Sequence, residues 1–214
     1  MPAKISAKAR ASKIKLILFD VDGVLTDGKI WIFPAPGGAS APAFAKNTLQ
    51  ERSGQQGNRP GFGLHSAMLI EAKGFHAHDG TAISLARLAG IKTGIITKRV
   101  SETVALRAHD LKMDHVHQGI QDKAGVFQLI LEEDGITAGE AAFVGDDVID
   151  LPVMRKCGLA IAVKNARPEV KAEAHWVTAH AGGDGAARDA VEYILKAQGK
   201  WKKAVAGYTE ERGG

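Results

Sequence analysis

Short apolar runs along the chain alternate with segments that have the periodicity of a helix. Residues 14–21 are apolar except for Lys15 and Asp20, and Gly23 follows them. A short, continuous apolar run that ends near a glycine is typical of a strand buried on both faces of a sheet. We therefore predict that residues 14–21 form a central strand of a parallel sheet.

The same alternation continues towards the end of the chain. Further apolar runs predict strands at residues 91–97, 115–119, 141–147 and 158–163. Helical spacing predicts helices at residues 82–90, 101–111 and 124–135, a turn of helix ending at Met154, and a last helix at 186–199. Strands that alternate with helices in this way predict an α/β fold with a doubly wound, Rossmann-like parallel sheet. In such sheets ligands bind at the carboxyl ends of the strands.

One long insertion interrupts the alternation, at about residues 29–75. GKIWIF and AMLIEAKGF predict two antiparallel strands, and the stretch between them is crowded with Gly, Pro, Ala, Ser, Asn and Gln. We interpret the insertion as a β-hairpin with a loop over residues 34–66 that is either disordered or a lid. Because it follows the first strand, the loop is expected to lie over the site.

The composition fits one globular domain, which we place at residues 14–199. The chain has 214 residues, of which 45% are hydrophobic and 24% are charged. Its net charge of +4 matches the four basic residues of the amino-terminal segment, Lys4, Lys8, Arg10 and Lys13. No aromatic side chains are interleaved with these charges, so we expect a disordered basic tail at 1–13 and no nucleic-acid partner. The segment 200–214 is expected to be a mobile tail.

Cysteine use and hydropathy indicate the compartment. Cys157 is the only cysteine, so no intrachain disulfide can form, and its apolar surroundings indicate a packed rather than a reactive thiol. No apolar run approaches the ~18 residues that span a bilayer. We expect a cytoplasmic protein without a membrane partner, with a transit peptide as the alternative.

The first predicted strand ends in two carboxylates, Asp20 and Asp22, which Gly23 follows. Phosphoryl transfer needs a nucleophile, a proton donor for the leaving oxygen and positive charge for the phosphoryl oxygens. Asp20 can supply the first and Asp22 the second. Alone, the pair could also be a simple turn, because Asp and Gly are common turn residues.

Four further polar positions fall at predicted strand ends or helix starts: Thr97, Lys123, Asp146 and Asp150. With Asp20-x-Asp22, and in this order, they resemble the four motifs of the haloacid dehalogenase-type phosphatases. Within that superfamily, the segments DVDGVLTDG, KGFHAHDG, DHVHQGIQDK and FVGDDVIDLPVM are similar to the 3-deoxy-D-manno-octulosonate 8-phosphate phosphatase family. The resemblance spans roughly residues 14 to 199 and implies a haloacid dehalogenase-like fold with no large cap domain.

The resemblance also implies a role for each motif residue. Asp20 would attack phosphorus, and Asp22 would act as general acid and then as general base. Mg²⁺ would be held by Asp20, the backbone carbonyl of Asp22 and Asp146. Asp147 or Asp150 would orient the water shell of the ion.

The remaining polar residues would contact the substrate, a small phosphorylated sugar acid. Thr97 and Lys123 would bind the phosphoryl group. The weaker candidates for the substrate carboxylate are Arg99 and Arg107. Lys98 stands where the resembled family usually has glycine, which adds charge beside the phosphate.

Two other features bear on substrate and assembly. Asp184 stands where family members tend to have arginine, and the hairpin loop is longer than usual. The resembled enzymes form tetramers, so we expect a homotetramer. The alternative substrates are a nine-carbon sialic-type acid phosphate or another small phosphate ester, and the alternative of another class is a non-catalytic regulatory or oligomerisation module.

Two histidine pairs, His76 with His78 and His115 with His117, alternate along predicted strands. Such pairs could bind zinc, but no third ligand is suitably spaced. We expect all four to be surface residues of the hairpin and of a strand.

Overall fold

The computed structural model describes residues 5–34 and 69–210. Its main element is a six-stranded parallel sheet with the strand order β5-β4-β1-β6-β7-β8. The strands of this sheet are β1 (Leu16–Phe19), β4 (Lys92–Ile96), β5 (His115–His117), β6 (Ala141–Gly145), β7 (Leu159–Ala162) and β8 (Trp176–Val177). The prediction of a doubly wound α/β sheet is confirmed.

Strand β1 lies inside the sheet, between β4 and β6. Its Leu16 pairs with Lys92 on one side and Ala141 on the other, and its Phe19 pairs with Ile95 and Val144. Every residue of β1, β6 and β7 is buried. The hydrophobic core thus covers both faces of the central strands, which explains why they read as continuous apolar runs.

The described helices flank this sheet in two groups. Helices α1 (Ala7–Ala11), α2 (Ala77–Leu88), α7 (Ala186–Ala197) and α8 (Trp201–Glu210) pack together, and α4 (Lys123–Asp134), α5 (Leu151–Met154) and α6 (Pro168–Glu173) form the second group. Helix α3 spans Glu102–Asp110. In α4, the side chain of Asp122 accepts a hydrogen bond from the Gly125 amide at 2.9 Å. This N-cap fixes the turn that begins with Lys123.

Both ends of the described chain are more ordered than we predicted. The tail prediction is wrong for Ala7–Ala11, which form α1, because Ala11 is buried and the Arg10 Nη1 atom donates to the Gly158 carbonyl at 2.7 Å. It is also wrong for Trp201–Glu210, which form α8. Ala204 of α8 is buried and Trp201 packs against the core, so apolar burial holds this segment.

The structure differs from the sequence analysis at three other places. Helix α6 and the two-residue strand β8 were not predicted, since neither has enough residues for a clear period. Helix α2 begins at Ala77 rather than at residue 82, with His76 as its N-cap, so His78 lies in a helix and not in a strand. His115 does lie in β5, but it is buried, and its Nε2 atom is 3.0 Å from Asp134 Oδ2.

Ile30–Lys73 form a second compact unit. In this unit β2 (Trp31–Pro34) pairs antiparallel with β3 (Leu69–Ala72), and Trp31 lies opposite Ala72. The predicted hairpin strands are therefore present, and within the described ranges no large cap domain is found. The predicted loop, apart from Pro34, lies outside the described residues.

The only cysteine, Cys157, is a packed residue, as the sequence analysis expected. Cys157 is buried, and burial raises the pKa of its thiol to about 12. This agrees with a packed cysteine. No described helix is long and apolar enough to cross a bilayer.

Candidate active site

The carboxyl ends of β1, β4 and β6 bring most of the predicted site residues to one edge of the sheet. Asp20 follows β1, Thr97 follows β4, and Asp146 follows β6. Because β1 pairs with both β4 and β6, these three positions lie side by side. Asp20 and Thr97 are both buried.

Lys123 links the nucleophile candidate to a second carboxylate. Its Nζ atom lies 2.9 Å from Asp20 Oδ1 and 2.7 Å from Asp150 Oδ1. The three side chains are at most 5% exposed. Lys123 therefore contacts two buried carboxylates at once and offsets part of their charge, so it is not a solvated surface lysine.

Asp150 is fully buried, and both of its carboxylate oxygens are engaged. Oδ1 pairs with Lys123, and Oδ2 accepts hydrogen bonds from the amides of Asp146 and Asp147, at 3.0 and 3.4 Å. Asp150 thus shapes the loop that carries Asp146. Asp147 uses its own Oδ1 to accept from the Val148 amide at 2.7 Å, which caps the short 3₁₀ helix Val148–Asp150.

The donor atoms of this cluster fit a divalent cation. Asp20, Asp146 and Asp150 each offer a carboxylate oxygen, and these oxygens lie within 4.8 Å of one another. Asp146 Oδ1 is buried and has no hydrogen-bond partner among the described residues. A buried carboxylate oxygen without a partner is costly, and an oxygen-rich acidic cluster suits a hard cation such as Mg²⁺. Since both oxygens of Asp150 accept other hydrogen bonds, Asp20 and Asp146 are the better ligands.

The electrostatics of the cluster also favour a bound cation. Burial and the charge of Asp150 raise the pKa of Asp20 to about 6, although Lys123 opposes this shift. Burial and the charges of Asp150 and Asp20 raise the pKa of Asp146 to about 7. Burial alone would lower the pKa of Lys123, but the two carboxylates hold it above its usual value. The cluster thus carries more negative charge than Lys123 alone can balance.

Asp22 lies two residues beyond Asp20 and pairs with a residue after β4. The Arg99 Nε atom is 3.6 Å from Asp22 Oδ2, and both side chains are partly exposed. Thr97 Oγ1 accepts a hydrogen bond from the Arg99 amide at 3.4 Å. Arg99 and Thr97 are therefore held beside the Asp20-x-Asp22 loop, as the sequence predicted for strands that end at one edge.

The structure does not bring Arg107 into this cluster. Its guanidinium lies 5.9 Å from the centre of the Phe75 ring and fills the space that a Cβ atom on Gly80 would occupy. Arg107 thus packs between α3 and α2 in this structure, and its role as a ligand of the substrate carboxylate stays a prediction. Lys98 is exposed at the end of β4.

The segment that contains Asp184 also contacts the nucleophile loop, through two glycines to which the sequence analysis gave no role. The Gly183 amide donates to the Val24 carbonyl at 3.0 Å. A Cβ atom on Gly182 would collide with the Gly23 carbonyl, and one on Gly183 would collide with the backbone of Thr26 and Asp27. The Gly-Gly pair is the signal for this close approach, because only glycine lets two backbones touch.

Removing the cation should expose the repulsion within the cluster. In ion-free protein the folded-state pKa of Asp146, about 7, lies above the ordinary aspartate pKa of 3.8, so the native state holds the proton more tightly than the unfolded chain. The contribution of Asp146 to stability therefore falls as pH rises from about 4 to about 7. We expect ion-free Asp146→Asn to unfold at a higher temperature than ion-free wild type at pH 8, with the gap closing towards pH 4.

Saturating Mg²⁺ should raise the Tm of the wild type by about 5 °C and that of Asp146→Asn much less. Calorimetry with and without EDTA measures both effects, and Asp110→Asn on the exposed end of α3 is the matched control. An equal Mg²⁺ shift in wild type and Asp146→Asn would show that the ion binds elsewhere.

Comparison with known proteins identifies the family. The model of the haloacid dehalogenase-like hydrolases matches residues 86–189. The chain is 35% identical over 203 residues to a 3-deoxy-D-manno-octulosonate 8-phosphate phosphatase from Escherichia coli, with 95% of this chain and 90% of the relative covered. It is 33% identical to the enzyme of that name from Yersinia pestis, with coverage of 92% and 87%.

Solved structures agree with the sequence relatives. The phosphatase of the same name from Moraxella catarrhalis, solved with a magnesium ion, a phosphate ion and a KDO molecule, matches with a TM-score of 0.74 and 31% identity, covering 94% of this chain and 97% of that one. A hydrolase of subfamily III A from Legionella pneumophila matches with a TM-score of 0.75 and 33% identity, covering 95% and 94%. The chain therefore belongs to the haloacid dehalogenase-like hydrolases and, among these, to the 3-deoxy-D-manno-octulosonate 8-phosphate phosphatase family, so it is a phosphoric monoester hydrolase.

Proposed function

We propose that this phosphatase hydrolyses a phosphorylated sugar acid, 3-deoxy-D-manno-octulosonate 8-phosphate, through a phosphoryl group carried transiently on Asp20. The observation that carries the proposal is the arrangement of the buried Asp20, Lys123 and Asp150 and the partly buried Asp146 at the carboxyl edge of the sheet. It supplies a nucleophile, a cation and ligands for a divalent ion in one place. These are the groups that phosphoryl transfer requires.

The first half of the reaction transfers the phosphoryl group to the enzyme. A carboxylate oxygen of Asp20 forms a bond to phosphorus as the bond from phosphorus to the sugar oxygen breaks. Asp22 gives its proton to the departing alkoxide. Lys123, which already contacts Asp20, orients this carboxylate, while Lys123 and the Thr97 hydroxyl bind phosphoryl oxygens.

The second half restores Asp20. Asp22, now ionised, takes a proton from water as the water oxygen forms a bond to phosphorus. The bond from phosphorus to the Asp20 oxygen breaks, and inorganic phosphate leaves. When bound to Asp20, Asp146 and the Asp22 carbonyl, Mg²⁺ would neutralise the phosphate charge and offset the repulsion that raises the pKa of Asp20. Asp150 keeps the Asp146 loop in place through its two amide contacts.

The relatives support the sugar-acid substrate. Those from Escherichia coli and Yersinia pestis are phosphatases of 3-deoxy-D-manno-octulosonate 8-phosphate, and the Moraxella structure contains a KDO molecule. Side-by-side kcat/KM values for this compound, a nine-carbon sialic-type acid 9-phosphate and para-nitrophenyl phosphate test the proposal. We expect the eight-carbon acid to be preferred by at least about tenfold. A flat profile would contradict the assigned substrate and leave a general phosphatase.

We further propose that the protein acts in the cytoplasm as a homotetramer. The buried, unreactive Cys157 suits a reducing compartment. Within the hairpin unit Trp31, Phe33 and Ile70 share one face of the strand pair, and each of these side chains is about half exposed. An apolar surface of this kind marks an interface between proteins. Light scattering gives the mass in solution, and a monomer with full activity would contradict the tetramer.

A further inference from the structure

His180 lies in the segment that contacts the nucleophile loop, between β8 and α7. Two residues further on, Gly182 and Gly183 pack against the backbone of Gly23 and its neighbours. The Gly182 amide also donates to Asn165 Oδ1 at 2.9 Å. His180 therefore lies beyond the carboxyl ends of β7 and β8, on a segment whose glycines contact the loop that follows Asp20 and Asp22.

The imidazole of His180 is held by a carboxylate. Its Nδ1 atom lies 3.0 Å from both Oδ1 and Oδ2 of Asp189, and its backbone amide donates to Asp189 Oδ2 at 2.8 Å. Because a carboxylate only accepts hydrogen bonds, the neutral ring carries its proton on Nδ1. The other nitrogen, Nε2, is then an acceptor, and no described residue donates to it.

This ring is oriented yet open to solvent. The His180 side chain is 58% exposed, whereas that of Asp189 is 18% exposed. An exposed side chain normally samples several rotamers, so holding one through a partly buried carboxylate costs conformational entropy. Such an arrangement is useful where a fixed acceptor must meet a donor from solution.

Different polar groups lie on the two sides of the loop that carries Asp20. Lys98 and Arg99 follow β4, which lies on one side of β1, and the segment containing His180 follows β8, which lies on the other. Near His180 the charges are mixed, because the exposed Asp184 lies in the same segment and the amide of the exposed Lys164 donates to the His180 carbonyl at 3.3 Å. A carboxylate of the substrate is therefore favoured next to the two adjacent cations Lys98 and Arg99, and hydroxyl groups, which donate hydrogen bonds, are favoured next to His180.

We propose that His180, positioned by Asp189, is a specificity residue that accepts a hydrogen bond from a hydroxyl of the substrate's sugar chain. The proposal rests on the proposed function, since it assumes a substrate with a polyol chain. It also fixes the orientation of the substrate, with the hydroxyl-bearing chain towards β8 and the carboxylate towards β4.

Four phosphate esters distinguish the hydroxyl contact with His180 from the carboxylate contact near β4. 3-Deoxy-D-manno-octulosonate 8-phosphate has hydroxyls and a carboxylate, sorbitol 6-phosphate has hydroxyls only, 2-phosphoglycolate has a carboxylate only, and para-nitrophenyl phosphate has neither. For His180→Ala we expect kcat/KM to fall about tenfold on the two esters that carry hydroxyl groups, relative to the two that carry none. A fall of this size corresponds to the loss of one hydrogen bond. The matched control is His109→Ala, because the side chain of His109 lies near the end of α3 and is 87% exposed. Its kcat/KM on each of the four esters should stay at the wild-type value.

The alternative is that His180 only fastens the segment to α7. Equal losses on all four esters, together with a lower Tm, would show that structural role and overturn the proposal. A loss confined to the two carboxylate esters would show that His180 binds the carboxylate instead, and no loss would show no contact. The wild-type profile tests the sugar-acid function separately, because sorbitol 6-phosphate reports on His180 even if the acid is a poor substrate. A wild type that hydrolyses only para-nitrophenyl phosphate would contradict both the sugar-acid function and the hydroxyl contact of His180.

Discussion

Asp20→Asn should abolish turnover of every phosphate ester while leaving the fold intact. The amide has the shape of the carboxylate but cannot act as the nucleophile, so we expect kcat to fall by about 10⁴-fold or more. Burial and the charge of Asp150 disfavour ionised Asp20 in the ion-free protein, so the variant should unfold at a temperature no lower than that of the wild type. Steady-state kinetics with Mg²⁺ and calorimetry in EDTA measure the two effects.

The covalent step can be checked directly. Rapid acid quenching of wild type with a phosphorylated substrate should trap phosphate on the protein, and the Asp20→Asn variant should trap none. Asp110→Asn, an exposed carboxylate replaced in the same way, should behave as wild type. If Asp20→Asn kept wild-type turnover, a nucleophile other than Asp20 would have to be found.

Lys123→Ala should cost both activity and stability. Its removal leaves the buried carboxylates of Asp20 and Asp150 without the cation that contacts both. Breaking a buried pair of this kind costs about 3–5 kcal/mol, and loss of a donor to the phosphoryl group lowers kcat by at least about 10²-fold. Urea unfolding in EDTA measures the first, and kinetics with Mg²⁺ measures the second.

Lys196→Ala provides the matched control. Lys196 also contacts a carboxylate, Glu192 Oε1 at 2.6 Å, but its side chain is 59% exposed. An exposed pair of this kind contributes at most about 1 kcal/mol. Similar losses of stability in the two variants would mean that burial does not set the role of Lys123.

Local sequence was enough to predict the central sheet and most of the cluster. Strand β1 is buried on both sides, so its sequence is apolar until Asp20, and a polar residue at such a strand end lies at the ligand-binding edge. Thr97 and Asp146 follow neighbouring strands by the same rule. Their catalytic and metal-binding roles remain predictions, which the variants above test.

Other features depend on contacts between distant parts of the chain, and sequence patterns do not show these. The sequence of α8 is weakly apolar, and the helix depends on packing against α2 and α7. The packing of the Arg107 guanidinium against Gly80, which has no side chain, is likewise a contact between two distant positions. Asp189 and His180 are nine residues apart, and only the fold shows that they meet.

The contact of Gly182 and Gly183 with the nucleophile loop has a consequence for synthesis of the protein. Gly23, whose φ of +95° already requires glycine, receives its covering backbone from residues made about 160 positions later. During translation, the loop that carries Asp20 and Asp22 cannot take its final shape until that late segment has left the ribosome. The nascent chain should therefore gain phosphatase activity only after the residues following β8 have emerged.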